Sequence, residues 1–180
     1  MTQEIYIETI PQVIANKKKL EKELDVKITN KGKLVFVEGE GDKEYIALKV
    51  LEAINLDFSV QRALLLKDEN VILQVMHIKD ITKRKDLHVI KSRIIGTSGK
   101  TLKNLCHLTD CLVSLKDNEI GIIGEADFIE FAIQALTSLI KGSKQANVYA
   151  RLEREKKNRR LNPKSYQSFK NELDRELRKF

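Results

Sequence analysis

The sequence predicts an α+β chain built from two small units, each a three-stranded antiparallel sheet with helices on one face, followed by a basic helical extension. Three observations carry this. The chain partly matches itself after a shift of 85 residues: Asp25 falls on Asp110, Gly39 on Gly124, Glu40 on Glu125, Asp42 on Asp127, Ala47 on Ala132 and Leu51 on Leu136. The stretches "DVKITNKGKLVFVEGEGD" and "DCLVSLKDNEIGIIGEAD" both read strand, turn, strand, glycine-containing turn. Each is followed by an amphipathic helix. A repeat of this length, present twice, indicates two copies of one domain rather than a solenoid of short units.

The elements follow in order. "EIYIETI" reads as the first strand and "IPQVIANKKKLEKEL" as a helical region. After the strand pair, "KEYIALKVLEAI" places Ile46, Val50 and Ile54 on one helical face. "DFSVQRALLLK", Asp57 to Lys67, reads as a short helix capped by Ser59 that joins the units. "NVILQVMHI" alternates as a strand, and "FIEFAIQALTSLI" closes the second unit with Phe131, Ala135 and Leu139 on one face. The expected division is 1–56, a linker helix at 57–69, a second domain at 70–142 and the extension at 143–180.

Charge is distributed unevenly. Residues 141–180 carry 13 Lys/Arg against 5 Asp/Glu, and residues 1–140 carry 20 against 21. A near-neutral body with a basic extension implies a polyanionic partner. A second positive centre, Lys79 to Lys103, holds eight basic residues against Asp80 and Asp86. No apolar run reaches the roughly 18 residues of a membrane span, and "MTQEIYIETI" lacks the pattern of a secretory signal. Cys106 and Cys111 are too few for a disulfide framework, which points to a reducing, cytoplasmic compartment.

Between an apolar run and a basic helix lies "RIIGTSGKTLKNL". Gly96 and Gly99 allow a close backbone approach by a ligand. A helix starting near Lys100 would direct its free N–H groups into the bend, which suits phosphate. Lys91, Arg93, Lys100 and Lys103 add positive charge, and Ile94 and Ile95 offer an apolar floor for bases. Thr97 and Ser98 occupy the tip. "GTSGKT" is not a nucleotide-binding P-loop, because the position that should hold its first glycine is Ile94. "CHLTDC" is not a zinc spacing. His77 and His88 have no catalytic partners in view, so neither an enzyme nor a cofactor is expected.

The segment "SRIIGTSGKTLKNLCHLTDCLVSL" followed by "IGIIGEADFIEFAIQAL" resembles the KH domain of type I, whose signature is an I-I-G-x-x-G loop, a helix, a strand pair, an I-x-G turn and a closing helix. KH loops clamp about four nucleotides of single-stranded nucleic acid. With two such units, "KDENVILQVMHIKDI" before the loop and "KGSKQANVYARLEREKKNRR" after the last helix, roughly residues 1–160 resemble the KH proteins that assemble the small ribosomal subunit in archaea and eukaryotes and partner its rRNA-cleaving endonuclease. The resemblance implies binding near the 3′ end of immature small-subunit rRNA, positioning of that endonuclease and contact with pre-small-subunit proteins. In a eukaryote it implies nucleolar as well as cytoplasmic residence. It also implies that Val148 to Arg151 dock on the last KH helix.

The first unit departs from the pattern. In the repeat register Gly96 faces Pro11 and Gly99 faces Ile14, so the clamp is missing and a packing or protein-contact role is expected, with Asn16 to Lys19 left as a possible phosphate contact. In the extension, Lys156, Lys157, Arg159 and Arg160 form a cluster expected to hold phosphates. Beyond Pro163, "KSYQSFKNELDRELRKF" reads as another amphipathic helix with Phe169, Leu173 and Leu177 on one stripe. Two rivals share these features: a KH regulator of other single-stranded RNA, and a protein-binding scaffold whose KH folds no longer bind RNA.

Overall fold

The computed structural model describes residues 2–160 together with 175, 176 and 178. The expected helix beyond Pro163, with its Phe169, Leu173 and Leu177 stripe, lies outside the described residues. The chain forms two compact units, residues 1–73 and 74–180. Among the described residues no helix is long and apolar enough to cross a membrane.

The first unit runs β1 (Thr2–Tyr6), α1 (Ile10–Ala15), α2 (Lys17–Leu24), β2 (Lys27–Lys31), β3 (Leu34–Glu38), α3 (Gly41–Asn55) and α4 (Val60–Ala63), then a 3-10 turn at Leu64–Lys67. Its antiparallel sheet has the order β1-β3-β2, with Tyr6 and Lys31 both opposite Leu34. Strand alternation turns Val35 and Val37 into the core and leaves Leu34 and Glu38 outside. The buried stripe of α3 is Ala47, Val50, Leu51 and Ile54. Ile46, expected on that stripe, lies at its margin and is half-buried. Ser59 caps α4 by accepting the Arg62 N–H at 3.4 Å. The segment expected to join the units packs on α3 with Phe58, Val60, Ala63 and Leu66 buried.

The second unit repeats the plan with additions. It comprises β4 (Val71–His77, whose first residues fall to the first unit), α5 (Ile78–Ile81), α6 (Leu87–Ile95), a 3-10 bend at Thr97–Gly99, α7 (Lys100–Thr109), β5 (Leu112–Lys116), β6 (Glu119–Glu125), α8 (Ala126–Ile140) and α9 (Gln145–Arg160). The sheet order is β4-β6-β5. The central strand β6 carries fully buried Ile120, Ile122 and Ile123, and α8, with Ala135, Leu136 and Leu139 buried, packs on it. Phe131, expected on the same face, is half-buried, and the guanidinium of Arg159 stacks on its ring at 4.7 Å.

The repeat is structural as well as sequential from Asp25 onward. Asp25 and Asp110 both end their helices in the left-handed conformation, at φ 53° and 56°. A side chain at Gly39 would meet Val26 Cγ1 at 2.7 Å, and one at Gly124 would meet Cys111 Sγ at 2.6 Å. Val26 and Cys111 are themselves 85 residues apart, so one tight contact is kept with a different partner. Upstream of Asp25 the register fails. Residues 7–16 separate β1 from α2, whereas residues 78–99 separate β4 from α7, and that longer stretch holds α5, α6 and the glycine bend.

Candidate nucleic-acid interface

The glycine bend is built by its own sequence. Helix α6 stops at Ile95, and Gly96 closes it, its N–H donating to Ser92 O at 2.8 Å. Gly96 sits at φ 74°, and a Cβ there would lie 2.1 Å from Thr101 Oγ1. Ser98 and Gly99 are also left-handed, at φ 52° and 73°. Around Gly99 there is open space, so two glycines serve two purposes: Gly96 lets the chain pass Thr101, and Gly99 leaves the outer surface clear.

Thr97 and Ser98 are exposed at the tip. Gly99 N–H donates to Gly96 O at 3.2 Å, and Lys100 N–H donates to Thr97 O. The amides nearest Lys100, expected to meet phosphate, are therefore used by the bend's own carbonyls. What the bend presents outward is its exposed tip, the start of α7 and the cations beside it.

Lys100 and Lys103 are exposed on α7, and Lys91 is half-buried on α6. Arg93 is half-buried and donates to Ser143 O at 2.8 Å, so part of its guanidinium serves the connection between α8 and α9. Of the expected apolar floor, Ile95 is 39% exposed whereas Ile94 is fully buried in the core. Periodicity gives the reason: Ile90 and Ile94 are four residues apart and share the inward face of α6. Ahead of α6, the Arg84 guanidinium pairs with Asp86 at 2.9 Å and holds that carboxyl below its usual range.

The basic cluster of the extension divides by burial. Helix α9 packs along α7 and α8. Lys156 is 8% exposed; it donates to the His107 carbonyl and to Asp110 Oδ1 at 2.8 Å. Arg159 donates to Leu108 O at 2.9 Å, lies 4.0 Å from Asp110 Oδ2 and stacks on Phe128 and Phe131. These two cations satisfy the orphan carbonyls at the C terminus of α7 rather than facing solvent. Lys157 is exposed, and the side chain of Arg160 lies outside the described residues.

Beside the bend is a groove of about 450 Å³ that spacing along the sequence does not reveal. One wall comes from α6 (Val89, Ser92, Arg93), another from the bend and α7 (Thr97, Lys100, Asn104), and the third from Gln145 and Tyr149 of α9. Gln145 Nε2 donates to Arg93 O at 3.2 Å and to Thr101 Oγ1 at 3.0 Å, which ties the start of α9 to the base of the bend. Cys106 and Cys111 are buried, and burial pushes the Cys111 thiol up. Among the described residues no group of three or more His, Cys, Asp and Glu is placed to hold a metal ion.

Comparison with known proteins agrees with this fold. Residues 72–157 match the eukaryotic-type, type I KH domain that forms the second such domain of PNO1. A KH domain-containing protein of Methanocaldococcus jannaschii is 31% identical over 147 residues, covering 78% of this chain and 65% of that protein. The pre-rRNA-processing protein pno1 of Schizosaccharomyces pombe is 30% identical over 137 residues, 72% of this chain and 57% of its own length. The matches thus span less than two thirds of these curated relatives. Dim2p of Pyrococcus horikoshii superposes with a TM-score of 0.80 at 28% identity, covering 86% of this chain and 99% of that one. A chain of the P. horikoshii complex of a/eIF2alpha, aDim2p and rRNA gives 0.81 at 28% identity, covering 88% and 95%. The chain therefore carries, over residues 72–157, a KH domain of the PNO1/Dim2 type.

Proposed function

We propose that this chain is a non-enzymatic, PNO1-like RNA-binding protein of pre-rRNA processing. It holds the single-stranded 3′ region of the small-subunit rRNA precursor along the Gly96–Gly99 bend, in the cytoplasm. In doing so it positions the processing endonuclease among pre-small-subunit proteins. The observation that carries this reading is the bend itself: an exposed tip at Thr97 and Ser98, and open space over Gly99 at φ 73°. Lys91, Arg93, Lys100 and Lys103 flank it, Ile95 offers the exposed apolar contact, and Lys157 extends the positive track. The rRNA complex among its structural neighbours supports the choice of RNA over protein.

The test is titration with a single-stranded RNA carrying the small-subunit 3′ sequence, against a scrambled strand and a duplex, at fixed salt. Tighter binding of the first is expected, together with co-purification of the endonuclease from cells of the source organism. Equal binding of the scrambled strand would favour a regulator of other RNAs. No binding of any strand would favour a protein scaffold.

A further inference from the structure

We infer that the groove between α6, α7 and the start of α9 is a nucleobase pocket, taking one unstacked base of the strand that the bend holds. This rests on the RNA-binding reading and adds a subsite to it. The groove shares Gly96 and Thr97 with the bend and Lys100 with the adjoining start of α7, so a strand lying along the loop passes the groove's mouth. Its volume of about 450 Å³ falls in the range of sites for small-molecule-sized groups.

The lining fits a base better than a bare phosphate. Tyr149 is half-buried and presents an aromatic ring on which a base can stack. Val89 is 48% exposed on the facing helix and supplies an apolar wall. Asn104 is exposed on α7, and its amide can both donate to and accept from a base edge. Lys100 and Arg93 line the same groove and favour the attached phosphate. Gln145 is a positioning residue: its hydrogen bonds to Arg93 O and Thr101 Oγ1 fix the α9 wall against the bend. Single-stranded RNA is commonly read in this way, by splaying out a base and stacking it on an aromatic side chain.

An abasic scan tests it. The parent protein is titrated with a short single-stranded RNA of the small-subunit 3′ sequence, and with copies lacking the base at each position in turn. One position is expected to lose about 5- to 100-fold in affinity on loss of its base. Tyr149→Ala should weaken binding of the intact strand by a similar factor and abolish the penalty at that one position, and Tyr149→Phe should restore both. Should Tyr149→Ala fail to fold, Asn104→Ala serves, with a smaller loss confined to the same position. Full affinity in Tyr149→Ala and Asn104→Ala, or the same abasic penalty in parent and variants, overturns the pocket. If those variants bind normally while Thr97→Asp with Ser98→Asp does not, the bend stands and only the pocket falls. If the bend variant also binds normally, both fall.

Discussion

Asp25 and Asp110 occupy the same place in the two units and have opposite surroundings. Both end a helix in the left-handed conformation before a strand. Asp25 is exposed and pairs with Lys43 at 2.5 Å, and that ammonium holds its carboxyl below the usual range. Asp110 is 3% exposed and receives Lys156 and Arg159 from α9. The same divergence runs through the helices ahead of them. In the first unit α1 meets α2 at Asn16, whose N–H bonds back to Val13 O at 3.2 Å, with no glycine and no projecting loop. In the second the junction is the four-residue bend of Gly96 to Gly99. The copy expected to bind thus has a looser junction at the front and a stronger brace behind it. A clamp that opens the chain between two helices depends on those helices being held elsewhere, and α9 does this for α7.

Breaking the brace should have the largest effect. Lys156→Met removes the 2.8 Å ammonium partner of the buried Asp110, and a broken buried ion pair costs about 3 kcal/mol. Asp25→Asn, at the matching place of the repeat, removes only an exposed pair and should leave chemical denaturation unchanged. A small loss in Lys156→Met would mean that α9 is a passenger on α7.

The two glycines of the bend sharpen the comparison next. Gly96→Ala places a methyl against Thr101 and should destabilise the second unit by about 2 kcal/mol more than Gly99→Ala. The latter meets nothing, and costs about 1 kcal/mol for its left-handed backbone alone. Equal losses on denaturation would contradict the assigned division of labour.

The contact shared by Val26 and Cys111 gives a pH test. Burial raises the Cys111 thiol in the folded state, whereas the unfolded thiol ionises near its ordinary value of about 8.5. The neutral thiol's stabilisation is therefore complete below about pH 8.5 and is lost as pH rises above it, by up to about 1.4 kcal/mol per pH unit. Cys111→Val installs the residue that the first unit uses opposite its own glycine. Unfolding measured from pH 7 to 10 should lose that part of the decline in the variant. Parallel profiles would place the ionisation elsewhere.

The smallest effect concerns Lys157. Lys157→Ala should leave stability unchanged and reduce the slope of log affinity against log salt by about 1. An unaltered slope removes Lys157 from the phosphate track.

Legibility in the sequence followed how local the cause was. The Ser59 cap and the glycine bend could be read because they are set by neighbours a few residues away, whereas of Asp25 and Asp110 only the equivalence in the repeat could be read, not their left-handed helix ends. The repeat register could be read from Asp25 onward but not before it, where the two units differ in length between the first strand and the second helix. Lys156 and Arg159 looked like solvent-facing cations, since composition does not tell which side of a basic helix meets a partner helix. Gln145 carried no signal and Tyr149 only that of a segment docking on the last KH helix, because only the folding of α9 beside α6 and α7 brings them to the bend.

The central claim is that only the second unit grips the strand, through its bend. The direct measurement is affinity for a single-stranded small-subunit 3′ RNA at one moderate salt concentration, comparing Thr97→Asp with Ser98→Asp against Lys18→Glu. Both variants lower net charge equally, one at the exposed tip of the bend and one at an exposed position on α2. The account predicts a loss of at least about 30-fold for the first, in line with like-charge opposition to phosphate, and less than about twofold for the second. Equal losses in the two variants, or full affinity in the first, would contradict it.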